Sequence, residues 1–282
     1  MIEILKTGLY DSIQDLGRCD YQHLGVPISG AMDAFSAKLA NALINNNEND
    51  AVLEFTMSGP KLKCHSDVLI SITGAETRPK INGISCQLNC PLILKANDVL
   101  SFGQFESGCR GYLAVLGGFQ TGVVLGSRSM CDGITKEIKL ARGVHLPILN
   151  KLPKTIKRTA KVRGHLNRSS AEVLGVFKGI EFDKLSLKSQ SGIFRKTFTV
   201  TSTSNRMAYQ CKENFPNKLE PIITSLVLPG TVQLTPSGQL IILMRDCQTT
   251  GGYPRVLQLT EKSIDRLSQR KAGETFRFSC VL

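Results

Sequence analysis

No stretch of the 282 residues stays apolar for the roughly 18 positions a membrane-crossing helix requires. Tyr112 to Phe119 is among the longest such runs, glycines included, and a membrane-spanning role is excluded. The opening Met1-Ile2-Glu3-Ile4-Leu5-Lys6 carries an acid and no long apolar segment, so neither a secretory signal nor an arginine-rich transit peptide is expected, and the expected location is the cytoplasm. Cys-x-x-Cys is absent as well. The nine cysteines are odd in number and scattered, with Cys86 and Cys90 the closest pair, which predicts reduced thiols. The four histidines, at positions 23, 65, 145 and 165, form no His-x-x-x-His or His-Glu-x-x-His pattern, so no metal site is expected. A Walker-type loop, a dinucleotide Gly-x-Gly-x-x-Gly and a Gly-x-Ser-x-Gly elbow are all missing; if ATP is used, a P-loop does not bind it.

What is present reads as a turn-rich globular protein of one large or two ordinary domains, with 41% hydrophobic and 21% charged residues, 25 glycines and 11 prolines. A net charge of +12 raises the question of an anionic partner. Much of the excess lies between Lys151 and Arg168, where Lys154, Lys157, Arg158, Lys161 and Arg163 stand without an acid. That run contains no aromatic residue for base stacking, so it reads as a solvated connector and no nucleic-acid partner is expected. The division that follows is an N-terminal β domain over 1–150, a basic linker over 151–170 and a C-terminal β domain over 171–282.

Strand signals dominate the pattern: short Val-, Ile-, Phe- and Thr-rich runs separated by Gly, Pro, Asn and Asp. Val52 to Met57, Val68 to Thr73, Gly111 to Leu116, Thr197 to Thr203, Leu240 to Arg245 and Thr275 to Val281 are predicted strands, and the fold class is mostly β with a few short helices. Two helices are predicted. Asp33 caps one, with Phe35, Leu39, Ala42 and Leu43 on one face before Asn45-Asn46-Asn47; Thr260 caps Glu261 to Arg270, with Ile264 and Leu267 inward. Ordered echoes link the halves: Ser58-Gly59-Pro60-Lys61-Leu62 with Ser237-Gly238-Gln239-Leu240, and Lys95-Ala96-Asn97-Asp98 with Lys271-Ala272-Gly273-Glu274, each of the latter before a strand. They predict two related β-barrel-like domains, a divergent duplication.

Three segments hold more polar residues and glycines than turns require. Gln14-Asp15-Leu16-Gly17-Arg18, followed by Gly25 to Asp33, alternates an amide, carboxylates and a guanidinium with glycines that let backbone approach a ligand. Asp15 and Arg18 also fit a local salt bridge, and Asp33 a helix cap. Ser204-Asn205-Arg206-Met207-Ala208-Tyr209 places a planar fork suited to carboxylate or phosphate between apolar neighbours. Arg245-Asp246-Cys247-Gln248-Thr249-Thr250-Gly251-Gly252-Tyr253-Pro254 gathers an acid, an amide and two hydroxyls at a strand end. Cys247, with no histidine near it in sequence, reads as an inert thiol.

Through these segments the chain resembles the family of the 5-oxoprolinase C subunit, also called allophanate hydrolase subunit 2, of biotin-dependent carboxyltransferase type and related to the Kip antagonist. The motifs are Gly8-Leu9-Tyr10, Val26 to Asp33, Leu39-Ala40-Asn41, Ser58-Gly59-Pro60, Leu125-Gly126-Ser127-Arg128-Ser129 and Gln248 to Pro254, and they cover essentially the whole chain. The resemblance implies a cyclophilin-like β architecture in two parts, partners in the A subunit of 5-oxoprolinase and in its Kip-inhibitor-like B subunit, and ATP-dependent opening of 5-oxoproline to glutamate, with ATP bound here or on a partner. Amide resonance makes the lactam carbonyl a poor electrophile, so its oxygen must be activated before water attacks. In that scheme Asp15, Asp246 and Tyr253 are catalytic, and Gln14, Arg18, Asn41, Arg206, Gln248, Thr249 and Thr250 bind substrate. The same resemblance carries two alternatives: carboxyl transfer from carboxybiotin to a urea-like amide, with biotin on a separate carrier because no Met-Lys-Met attachment sequence is present, and a non-catalytic regulatory binder. The chain departs from the family at Asn205 and Ala208, where an acid and a glycine are usual, and at Arg245 and Cys247.

Overall fold

The computed structural model describes residues 1–149 and 172–281. The basic connector expected over 151–170 lies outside the described residues. The chain divides into two compact units, Met1–Arg18 with Ser29–Asn167 and Cys19–Ile28 with Arg168–Leu282. The expected N-terminal domain is therefore interrupted, because Cys19–Ile28 groups with the second unit. No helix among the described residues is long and apolar enough to cross a membrane.

The protein is mostly β, with three short α-helices among the described residues. In the first unit, one sheet orders His145–Leu146, Ile2–Lys6, Lys61–Cys64, Val99–Ser101, Lys80–Ile81 and Ile84–Ser85. The other orders Tyr10–Gln14, Val52–Thr56, Ser107–Val115, Val68–Glu76 and Pro91–Leu94. Strand alternation sends Ile2, Ile4, Leu62 and Leu100 of the first sheet and Leu53, Phe55, Ile70 and Leu113 of the second into one core. An isolated Ser58–Gln104 bridge pairs the two connections that cross between the sheets, from Val52–Thr56 to Lys61–Cys64 and from Val99–Ser101 to Ser107–Val115.

Helix α1, Ala34–Leu43, covers the other face of the second sheet, capped by Asp33, whose Oδ1 accepts from Ser36 N at 3.0 Å. The sequence pattern held only in part for this helix: Leu43 is buried, but Phe35 and Ala42 are exposed, whereas Ser36, Ala37, Ala40 and Asn41 are buried. The sheet face beneath sets hydroxyls among apolar Val52, Leu69 and Ala114, and brings the helix close: Thr73 Oγ1 donates to Ser36 O at 2.7 Å and Ser71 Oγ to Ala40 O. Glu54 anchors the approach to the helix, accepting from Met32 N and from the Tyr112 hydroxyl, both at 2.8 Å.

One acid on the strand Tyr10–Gln14 makes stability depend on pH. Burial pushes the Asp11 carboxyl up from the ordinary 3.8 to about 6, against a 2.6 Å hydrogen bond from Gly8 N. The folded chain keeps this proton where the unfolded chain has released it, so stability falls as pH rises through that window. The expected loss between about pH 4 and about pH 6 is on the order of 3 kcal/mol. Urea unfolding of wild type and Asp11→Asn across this range checks it: the slope is shallower in the variant, and identical slopes would contradict the assignment.

In the second unit a seven-stranded sheet orders Phe198–Thr199, Thr275–Cys280, Glu172–Lys178, Arg255–Leu259, Thr231–Leu234, Gln239–Leu243 and Ala208–Asn214. A Val200–Cys211 bridge ties the first strand to the last and closes a barrel. The predicted strand Thr197 to Thr203 shrinks to Phe198–Thr199 plus that bridge. Helix α2, Leu187–Arg195, escaped sequence reading because Ile193 is its one buried residue and no apolar stripe forms. Helix α3, Glu261–Ser268, is capped by Thr260 and buries Ile264 and Leu267 as the pattern predicted.

The second internal echo is one turn made twice. Lys95 N donates to Asp98 Oδ2 at 2.7 Å, and Lys271 N to Glu274 Oε2 at 2.9 Å. Asn97 and Gly273 hold φ at 72° and 87°. The Gly59 and Gly238 echo is weaker: Gly238 has φ 88°, whereas Gly59 is needed for contact with the Phe102 ring.

Candidate functional site

Each unit gathers one group of the sequence-predicted residues. In the first, the chain leaves the strand Tyr10–Gln14 and turns at Asp15, whose buried carboxylate is fully engaged. Its Oδ1 accepts from Gly17 N at 2.8 Å, Ser127 Oγ at 2.7 Å and Ser129 Oγ at 2.6 Å, and its Oδ2 accepts from Arg128 N at 2.6 Å. The Ser127-Arg128-Ser129 motif thus wraps the acid, a role for these serines that spacing alone could not show. Gly30 lies on this turn: a Cβ there would meet Gly17 N and Leu16 C at 2.8 Å, at φ +92°. Asp15 is consequently a positioning group that shapes the turn.

Arg18 does not pair with Asp15. Its Nη2 donates to Ser129 O at 2.5 Å, and the side chain is only 1% exposed. Nε and Nη1 are buried without a hydrogen-bond partner among the described residues. Gln14 Oε1 and Ser29 Oγ are likewise buried and unpartnered there, while Gln14 Nε2 donates to Ser12 Oγ and Met130 O. Gln14 and Arg18 flank Asp15, and Ser29 precedes the glycine seated on Gly17. Unspent donors on a buried guanidinium carry a large desolvation cost, which an incoming carboxylate or phosphate would offset. Asn41 has no such freedom: its Nδ2 donates to Glu48 O and Asp50 O, and its Oδ1 accepts from Asn46 Nδ2, so it ties down the loop after α1.

In the second unit Arg206 and Asp246 engage each other. Nε and Nη2 of the fork reach the two carboxylate oxygens at 2.7 and 2.9 Å, and Asp246 N donates to Arg206 O at 3.0 Å. Asn205 makes the turn before this arginine, its Oδ1 accepting from Met207 N and Ala208 N; the amide oxygen here performs the turn role a carboxylate would. Burial pushes the Cys247 thiol up to about 12, with Asp246 adding to the shift, in keeping with the inert thiol expected from the sequence.

Beyond Asp246, Gln248, Thr249, Thr250 and Tyr253 make no side-chain hydrogen bond to another described residue, and Tyr253 is 40% exposed. Their backbone is fixed. Thr250–Gly251 pairs with Ser225–Leu226, and a Cβ on Gly251 would press on the end of the Gln233 side chain, 2.5 Å from its Nε2. Arg255, absent from the sequence-based set, braces the hairpin: it donates to Ser225 Oγ and Leu226 O and grips Glu181 through Nε and Nη2 at 3.0 and 2.9 Å. Those bonds hold the Glu181 carboxyl below its usual range. The result is a rigid loop whose amide, hydroxyls and phenol remain available to a ligand or partner.

A third cluster was also missed. Glu3, His65 and His145, remote in sequence, meet on the first sheet, which the absence of a histidine motif did not predict.

Comparison with known proteins agrees with this architecture. The profile of the carboxyltransferase domain, subdomain A and B, matches residues 24–280. The chain is 29% identical to the 5-oxoprolinase C subunit of Escherichia coli (strain K12) over 285 residues, covering 99% of this chain and 90% of that protein. It is 40% identical to urea amidolyase of Saccharomyces cerevisiae over 129 residues, 45% of this chain and 7% of that one. The crystal structure of urea amidolyase from K. lactis superposes with a TM-score of 0.88 at 26% identity, over 100% of this chain and 19% of the longer one. The chain spans a small part of the urea amidolyases and nearly all of the oxoprolinase relative. Its β architecture and a profile match across almost the full length carry one conclusion: the chain belongs to the family of the carboxyltransferase domain, subdomains A and B.

Proposed function

We propose that this chain belongs to a cytoplasmic, ATP-dependent 5-oxoprolinase complex that opens the lactam of 5-oxoproline to glutamate, working with the A subunit of that enzyme and its Kip-inhibitor-like B subunit. The observation that carries this is the end-to-end similarity to the 5-oxoprolinase C subunit, over 99% of this chain and 90% of the relative. The chemistry of the first unit supports it: 5-oxoproline carries one carboxylate, and Arg18 has two buried N–H groups without a partner among the described residues. Arg18 anchors that carboxylate and Gln14 Oε1 accepts from the lactam N–H. In the second unit, taken by itself, Asp246 holds the Arg206 fork, and Gln248, Thr250 and Tyr253 offer donors to a ligand or partner of that unit.

Two of the three helix N-termini among the described residues oppose a phosphate. Helix α1 opens on Asp33 and α3 carries Glu261 in its first turn, acids that oppose a phosphate. In this reading ATP is bound on this chain or on a partner in the complex.

A second reading, carboxyl transfer from carboxybiotin to a urea-like amide, draws on the 40% identity to urea amidolyase over 45% of the chain. The experiment separating the two offers one reconstituted complex either 5-oxoproline with ATP or urea with a biotin carboxylase and a biotinylated carrier. Glutamate should form in the first arm, with no avidin-reactive partner co-purifying. Turnover of urea alone would reverse the assignment.

A further inference from the structure

We infer that Glu3, His65 and His145 form a binding site for a zinc-class divalent metal ion on the outer face of the first sheet. Their ligand atoms all lie within 4.8 Å of one another. Glu3 Oε2 is 2.9 Å from His65 Nε2 and 3.9 Å from His145 Nε2. A tetrahedral ion with bonds of about 2.0–2.2 Å sets its ligand atoms roughly 3.3 Å apart, a separation these partly exposed side chains reach by small rotations.

The backbone beneath is fixed by strand pairing. Glu3 stands opposite His145 in register, and Ile2 opposite Cys64, so that His65 N donates to Met1 O at 2.9 Å. Ile2, Ile4, Leu62, Cys64 and Leu146 fill the core, which sends the alternate residues Glu3 and His145 outward. The His145 ring is also oriented as metal-bound imidazoles are. Its Nδ1 lies 3.1 Å from Gly143 O, the outer contact that metal-bound imidazoles make, and its Nε2 lies on the side of Glu3. Both Nε2 atoms converge on the same carboxylate oxygen, and the two rings lie 5.6 Å apart.

Two imidazoles and one carboxylate select Zn²⁺, Co²⁺, Ni²⁺ or Cu²⁺ over Mg²⁺ or Ca²⁺, which prefer all-oxygen sets. Lys63, in register with Glu3 from the neighbouring strand, further disfavours an ion held by charge alone. Three protein ligands leave a fourth position for water or an exogenous donor, and the bound ion clasps three segments of one sheet.

Calorimetric titration of the full chain with ZnCl₂, its exposed thiols first blocked by alkylation, tests the site. One ion per chain is expected, with Zn²⁺ raising the melting temperature and Mg²⁺ giving no heat. The His65→Ala/His145→Ala double variant and Glu3→Gln should each lose more than about tenfold in affinity, the least that disturbing even an outer partner of a metal ligand costs. The zinc-induced rise in melting temperature should vanish in the double variant, while His23→Ala retains both signals. Unchanged zinc affinity and melting shift in the double variant, or no zinc binding to wild type, would overturn the inference.

Discussion

Arg18→Met should abolish most of the turnover of the assembled enzyme while leaving the folded chain at least as stable as wild type. The two halves of this expectation have one cause. Arg18 is shut away from solvent, yet among the described residues its guanidinium spends one N–H on Ser129 O and leaves Nε and Nη1 unpartnered. In the folded chain without ligand that arrangement is costly, and an apolar side chain of similar length removes a buried charge. In the proposed complex the same donors bind the carboxylate of 5-oxoproline, and on that reading losing a buried charge-assisted anchor costs about 2–5 kcal/mol, or about 30-fold to several thousand-fold in kcat/KM. A purely structural arginine would behave in the opposite way, with melting temperature and rate falling together. An unchanged rate in Arg18→Met would remove this side chain from the binding machinery.

The largest stability loss is expected at Asp15. Asp15→Ala leaves the Gly17 and Arg128 amides and the Ser127 and Ser129 hydroxyls without the acceptor they share. A buried polar group stranded in this way costs about 1–3 kcal/mol. Because neighbours relax together, the sum is not additive, and the expected loss is about 3–5 kcal/mol, a large part of a domain's stability. Asp15→Asn keeps one acceptor and should lose about half as much. Urea unfolding of the two variants reads this order directly. If Asp15 were instead the proton-taking group, Asn would leave the midpoint almost unmoved and still halt turnover; the geometry predicts that rate and stability decline in step.

Much of the fold could be read along the chain because its signals are local. Val68 to Thr73, Leu240 to Arg245 and Thr275 to Val281 declare themselves by β-branched and aromatic residues, and they form Val68–Glu76, Gln239–Leu243 and Thr275–Cys280. The caps Asp33 and Thr260 are equally local. Helix α1 defeated the pattern over its first turns, because Thr73 and Ser71 hydroxyls reach its backbone at Ser36 and Ala40 and favour small side chains there, which leaves Phe35 outside. Helix α2 gave no pattern to find.

The site was legible in part for the same reason. Arg206 and Asp246 each stood out as chemistry-bearing residues, but their fork-to-carboxylate pairing joins positions 40 apart and fixes roles neither shows alone. Asp15 was singled out as an acid, yet its character comes from serines more than a hundred positions downstream. Asn41 belongs to a motif that marks the family, and it spends its amide on the loop that follows. Sheet pairing created the Glu3, His65 and His145 cluster, and no spacing rule for a single helix or turn anticipates ligands brought together by strand register.

The most direct measurement is glutamate formed per ATP hydrolysed by a complex rebuilt from purified components, with and without this chain, and with Arg18→Met in its place. With the chain present, 5-oxoproline should be converted to glutamate with ATP consumption coupled to it. Without the chain, or with Arg18→Met, glutamate formation should collapse. Undiminished glutamate release in the absence of the chain would contradict the proposed role.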